Sequence, residues 1–391
     1  MKPYGPEWRD GRKAFQRVFH PNTVSRFRPR EVVEARKLLC RLLRAPDDFM
    51  AHLRLTTGSL SLSIAYGIET QEENDPYIMH AERTLEAANA AMVPGAFLVD
   101  VFPALKYIPE WMPGASFKTK ARIWKYSSLW TLNTPWEVVK RRMTLIQDLI
   151  EPATNPAYME SVCKSAVGSI YVGNSTLGIL YSFFLAMVCY PEIQHRAQTS
   201  IDVVCRGRLP DFSDYDSLPY VHAIVKECLR WHPVMPLNVP HRLSEDDVYD
   251  GYYIPEGSFV IANTWALLHD PDVYTEPESF IPERFLTQHE TANGQMLVIN
   301  PDIRDPMEAA FGFGRRICPG RHMAHESMWI VFVSVLATFD IQRIRDVDGA
   351  EIVPPEAYSE GFISHPRPFT CRIVPRSPEH ADMIRDLEGK S

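Results

Sequence analysis

A long span from Ala166 to Tyr190 contains no charged residue, and eight of its positions are Gly, Ser, Thr or Asn. Its length would cross a bilayer. A run interrupted by small polar residues and closed by PEIQHRAQ is nonetheless the pattern of a long helix buried in a large core. A second apolar run, MWIVFVSVLATF, follows Cys318; it is too short and too close to charges to span, and reads as another core helix. Helical spacing recurs from Val32 to Leu43, from Tyr77 to Ala91, in the stretch up to Ile150, and from Ser217 to Trp231, where Pro219 suits the first turn. Strand signals are few and short. The clearest are DVYDGYYIP and SFVIANTWA, joined by Glu256 and Gly257, with FTCRIVP near the end. The Pro-rich segment VPGAFLVDVFPALKYIPEWMPGASF and the polar segment from Thr287 to Pro306 read as long surface loops. The sum is a mainly α protein with small β-sheets and no internal repeat.

Composition narrows the class only a little. The 391 residues are 45% hydrophobic and 23% charged, ordinary usage for a folded chain and not that of a disordered or collagenous one. A net charge of -8 argues against a general nucleic-acid binder, while leaving room for local basic patches. The seven cysteines (Cys40, Cys163, Cys189, Cys205, Cys228, Cys318, Cys371) are scattered, odd in number and without a C-x-x-C pair. That disfavours a disulfide framework and a zinc ribbon, and favours a reducing compartment. MKPYGPEWRDGRKAF has no apolar core of a signal peptide or anchor, so the chain reads as soluble.

One decapeptide stands apart, FGFGRRICPG from Phe311 to Gly320. Gly312 and Gly314 lack Cβ atoms and let backbone approach a flat ligand, and Pro319 suits the first position of a following helix. Cys318 is therefore expected at a helix N-terminus. There the dipole, with Arg315 and Arg316, favours the thiolate that a metal ligand requires. Arg316 can also pair with an anionic group on the same ligand. A lone cysteine is ordinarily a buried structural one, and it is the surrounding ten residues that point elsewhere.

The pattern F-x-x-G-x-R-x-C-x-G, filled by Phe311, Gly314, Arg316, Cys318 and Gly320, resembles the haem-binding loop of cytochrome P450 enzymes. ECLR gives Glu227 and Arg230, three apart on one helical face; FIPERF supplies Arg284; WRDGR sets Trp8 and Arg12 one helical turn apart. Alone, each is a short and common pattern. Their order and spacing from Trp8 to Gly320 carry the resemblance, which covers nearly the whole chain.

The resemblance implies the cytochrome P450 fold in N-terminally shortened form, as a single domain over residues 1–391. It implies haem b with Cys318 as axial thiolate, whose electron donation favours O–O cleavage. Trp8 and Arg12 would meet one propionate, His241 or Arg242 of VPHR the second, and Arg316 would complete the clamp. Phe311, Gly314 and Gly320 would shape the loop, with Glu227, Arg230 and Arg284 as supports behind it. His365 of ISHPRPF would lie on the last substrate-facing turn. Electrons would come from NADPH through a reductase docking near Arg12, Lys13, Arg17 and Arg321. The implied activity is insertion of one oxygen atom from O2 into an apolar small molecule, in secondary metabolism or xenobiotic oxidation. Members of the family usually sit at the endoplasmic reticulum membrane; without an anchor, a cytoplasmic or peripheral place is expected here.

This chain departs from the family pattern in two places. The family precedes its W-x-x-x-R helix with an anchor, a sheet and two helices, whereas here that helix starts at the eighth residue. The family's oxygen-binding turn reads Ala/Gly-Gly-x-Asp/Glu-Thr, and the corresponding VGNST puts Asn174 at the acid and Ser175 at the alcohol, with Val172 in place of a glycine and Thr176 next in line. Asparagine can hydrogen-bond but cannot shuttle a proton as a carboxylic acid does. Two other readings stay open: a haem-thiolate isomerase, dehydratase or peroxygenase, and a non-catalytic haem-binding remnant.

Overall fold

The computed structural model describes residues 4–93, 95–142, 156–172, 175–291 and 294–389. Its longer helices are α1 (Pro6–Phe19), α2 (Arg28–Arg44), α3 (Phe49–Tyr66), α4 (Pro76–Ala91), α5 (Ser116–Arg142), α6 (Pro156–Val172), α7 (Thr176–Cys189), α8 (Pro191–Cys205), α9 (Pro219–Trp231), α10 (Arg321–Thr338) and α11 (Pro378–Glu388). Proline opens α1, α2, α4, α8, α9 and α11, where its missing N–H costs nothing. Asp75 caps α4 by accepting from the backbone N–H groups of Tyr77 and Ile78, and Gly67 ends α3 in a left-handed turn at φ 60°.

The two apolar runs make the centre of the molecule. Ile179 to Val188 of α7 and Glu326 to Thr338 of α10 are buried, and the rings of Phe183 and Phe332 stack at 3.9 Å between them. Side chains of α2, α8 and α9 pack around this pair. Each fully buried Leu or Phe there stabilises the fold by about 1.5–3 kcal/mol. The uncharged run is not one helix, however. Among the described residues it divides into α6, ending at Val172, and α7, starting at Thr176. Cys163 and Val167 of α6 join a separate cluster with α1, α3 and α5. Among the described residues no single helix is long and apolar enough to cross a membrane.

The sheets are all two-stranded and antiparallel, and their pairing differs from the sequence reading. DVYDGYYIP forms a hairpin on itself, β2 (Asp247–Tyr249) with β3 (Tyr252–Ile254), because Asp250 and Gly251 both take the left-handed turn conformation, φ 51° and 80°. Phe259 and Val260 (β4) pair instead with His241 and Arg242 (β1), and TWALL is a short helix, not strand. The segment read as a loop from Thr287 contains the hairpin of β5 (Leu286–Thr291) and β6 (Gly294–Ile299). Phe339–Gln342 (β7) continues from α10 and pairs with Arg372–Pro375 (β10). The small β8 (Ile344–Arg345) and β9 (Glu351–Ile352) complete the set of described pairs. The Pro-rich loop carries short helical turns at Leu98–Val101 and Pro103–Tyr107 before α5 begins.

Candidate active site

The cysteine loop is built from backbone. Gly312 and Gly314 lie at φ 78° and 58°, conformations that side chains resist, and a Cβ at Gly312 would also press on Asn238 Oδ1 at 3.4 Å. The Cys318 N–H donates to Phe311 O at 2.8 Å and closes the loop. Helix α10 starts later than expected. Gly320 is its N-cap and Ala324 N–H donates to Gly320 O at 2.9 Å, so Pro319 precedes the helix and does not open it.

The electrostatics of the thiol also differ from the sequence reading. Burial pushes Cys318 above the ordinary thiol range, against the Gly320 backbone N–H and the charges of Arg12 and Arg321, which act the other way. Arg315 and Arg316 are occupied elsewhere. Arg315 donates to Tyr4 OH at 3.4 Å, and the Arg316 guanidinium lies 5.1 Å over the ring of Trp8. Desolvation wins because the protein alone leaves the sulfur with little to stabilise a negative charge. An electron-accepting metal would reverse that balance.

Above the sulfur opens a cavity of about 1100 Å³. It brings together residues from distant parts of the chain: Trp8 and Arg12 of α1, Ser175 and Thr176 at the start of α7, His241 of β1, and Phe311, Arg316, Cys318 and Gly320 of the loop. Arg12 Nη1 donates to Ile317 O at 2.5 Å, tying α1 to the residue before the cysteine. Gly314 shapes the turn without lining the cavity. Arg242, beside His241, turns toward Gly257 and stays outside. His365 is also outside: its N–H donates to Ser359 Oγ at 3.1 Å and its ring meets Tyr181, while Phe362 reaches the cavity from the same turn. Asn174 lies outside the described residues.

Behind the loop, Glu227 and Arg230 of α9 are fully buried. Arg230 donates to both Glu227 oxygens at 2.7 and 2.9 Å, and further to Leu268 O, Pro277 O and Ser279 O. Arg284 Nε donates to Glu227 Oε1 at 3.3 Å, and Ile281 N–H donates to the same oxygen at 2.7 Å. Burial pulls the Arg284 guanidinium below its ordinary value, with Glu227 opposing. Two neighbours on α9 and Arg284, 57 residues beyond Glu227, thus form one closed network that pins the segment from Thr275 to Ile281 against α9.

Sequence reading missed Asn238. It takes φ 52°, lines the cavity, and holds Thr264 and Ala309 through Nδ2 at 3.3 Å each. Its place four residues before Arg242, in a residue type that tolerates left-handed backbone, was the available signal. The cavity-lining hydroxyls of α3 and α5 carried no such signal, since they read as polar positions on helices.

These features suit a flat apolar macrocycle with anionic arms. Gly312 and Gly320 offer no side chain to obstruct it, a Cβ at Gly320 would stand 4.0 Å from Cys318 Sγ, and Arg12, His241 and Arg316 supply donors at the cavity wall. A mainly helical fold with one cysteine under such a cavity defines the class of cysteine-ligated haem proteins. The chain belongs to the cytochrome P450 family, whose model matches residues 1–372. A cytochrome P450 monooxygenase of Rhodocybe pseudopiperita is 40% identical over 398 residues, covering 98% of this chain and 75% of its own length. One from Armillaria gallica is 41% identical over 397 residues, 97% of this chain and 76% of its own. A tryptamine 4-monooxygenase of Psilocybe cyanescens is 40% identical over 402 residues, 99% and 77% respectively. The family implies a haem-iron cofactor, and family and relatives together support a monooxygenase role in fungal secondary metabolism.

Proposed function

We propose that residues 1–391 act as one cytochrome P450 domain that inserts one oxygen atom from O2 into an apolar small molecule, with haem b held over Cys318. The observation that carries this reading is the position of Cys318 at the floor of a large cavity whose wall holds Arg12, His241 and Arg316. When bound through a cysteine thiolate, haem supplies the activation of dioxygen. The chain supplies the rest. Arg12 and Arg316 hold anionic arms by charge-assisted hydrogen bonds, with His241 as a further donor. Trp8 carries Arg316 on its ring face and fixes the direction of that guanidinium. Phe311, Gly314 and Gly320 set the loop, and Glu227, Arg230 and Arg284 keep its underside rigid.

Ser175 and Thr176 present hydroxyls to the cavity at the start of α7. They would hold water and pass protons to the reacting oxygen, a task that the amide of Asn174 does not perform. Electrons would come from NADPH through a reductase that docks at the basic face of Arg12, Lys13, Arg17 and Arg321, where Lys13 and Arg17 are exposed. Asn174 at the acid position favours one second reading, turnover with peroxide or rearrangement without a reductase.

The test is the carbon-monoxide difference spectrum of the reduced, haem-loaded chain. A long-wavelength Soret band typical of thiolate-ligated iron is expected, and Cys318→Ala should abolish it. A band that survives the substitution overturns the ligand assignment. Product formed with NADPH and reductase, but not with hydrogen peroxide alone, separates the two readings.

A further inference from the structure

Hydroxyl-bearing residues of α3 and α5 line the cavity, and their hydrogen atoms can be counted. Helices α3, α5 and α6 converge there on Gly168, where a Cβ would come within 2.6 Å of Leu132 Cδ1 and 3.8 Å of Tyr66 OH. Ser61 of α3 and Ser128 and Thr131 of α5 line the cavity beside this junction. Thr84 has one hydroxyl hydrogen and spends it on His80 O at 2.8 Å. In its 3.2 Å contact with Thr131 it is therefore the acceptor, and Thr131 the donor. Thr131 keeps lone pairs but no free hydrogen. Among the described residues, neither Ser61 Oγ nor Ser128 Oγ meets a protein partner, although Ser61 is only 8% exposed. The acidic residue among the lining side chains is Glu7, on α1 beside Trp8.

We propose that these hydroxyls of α5 and α3 seat a hydroxyl group of the substrate, so that the enzyme acts on a neutral, mostly apolar alcohol. The inference rests on the monooxygenase reading and adds the substrate class to it. An alcohol fills every vacancy at once. Its O–H donates to the Thr131 lone pair, and its oxygen accepts from Ser61 or Ser128. An ether can only accept, and leaves Thr131 unmet. An ammonium group finds hydroxyl oxygens but no carboxylate among Ser61, Ser128 and Thr131, and it loses its hydration on entry, which is costly for an unpaired charge. Buried hydroxyls that await a partner are what make a site reject an analogue lacking the matching group.

Three probes sharing one apolar body decide it: farnesol, farnesyl methyl ether and farnesyltrimethylammonium, titrated calorimetrically into the haem-loaded full chain. Farnesol is expected to bind about tenfold more tightly than the ether, and the cation most weakly, tenfold being about 1.4 kcal/mol. Thr131→Val should bring farnesol down to the ether's affinity while the ether is unchanged; Ser61→Ala and Ser128→Ala together should weaken both. Equal affinity of alcohol and ether, tighter binding of the cation, or no binding of farnesol overturns the proposal, as does a preference that survives all three substitutions. The carbon-monoxide spectrum of the same preparation keeps the two levels apart. A missing thiolate band sinks the haem-thiolate reading, whereas a normal band with indifferent probe binding sinks only the hydroxyl seat.

Discussion

Glu227 and Glu31 are both buried carboxylates, 0% and 1% exposed, yet their surroundings differ completely. Glu227, behind the cysteine loop, receives two guanidinium groups and a backbone N–H. Glu31, on α2 against α10, meets only Ser327 Oγ at 2.7 Å, and its second oxygen has no partner among the described residues. Ser327 has one hydrogen and also contacts Met323 O at 2.8 Å, a carbonyl that can only accept. Ser327 Oγ therefore has a single hydrogen to share between Glu31 and Met323 O, and gives the carboxyl group little support as an anion. Burial pushes Glu31 up to about 8, with nearby Glu326 adding to the rise and Ser327 and Arg28 opposing it. At equal burial, the partners decide whether a carboxyl group is an anion that locks a loop or a neutral acid that fills a gap.

Removing one member of the Glu227 network should break that contrast hardest. Glu227→Ala leaves Arg230 buried and uncompensated, and breaking a buried pair costs about 3–5 kcal/mol. Denaturant unfolding should register that loss together with reduced haem retention; a loss under 1 kcal/mol would mean that the network does not carry the loop. Glu31→Gln should act on pH dependence. The folded chain holds a proton that the unfolded chain releases, so Glu31 makes stability fall as pH rises from about 4.5 to about 8. The glutamine variant is expected to flatten that slope in unfolding measured at pH 5, 6.5 and 8, and an unchanged slope would show Glu31 already ionised. Ser327→Ala, the mildest change, removes one hydrogen-bond partner and should cost about 1 kcal/mol at pH 6.

Helices with strong periodicity were readable from the chain alone, because burial of one stripe or of a whole run leaves its period in the sequence. The cysteine loop was readable as well, since only glycine serves at Gly312 and Gly314 and each such position is a fixed letter. The hairpin of DVYDGYYIP was misread although it carries the turn dipeptide that selects it, Asp250-Gly251. Glu256 and Gly257 drew the pairing to the wrong place. The direction of the Cys318 shift escaped because a helix N-terminus is visible in sequence and burial is not. Thr131, Ser61 and Ser128 escaped for a related reason: a hydroxyl on a helix acquires its meaning from helices dozens of residues away.

The hydrogen bond from Arg12 to Ile317 O joins positions 305 residues apart. At ribosomal speeds of 5–20 residues per second, roughly 15–60 s separate the synthesis of its two ends. Helix α1 must wait that long, through the making of almost every other element, before its arginine finds the carbonyl it was placed to hold. Arg28 waits nearly as long for Glu326, and Glu31 for Ser327. The nascent chain thus carries an unfinished vessel until Ile317 and Glu326 have emerged.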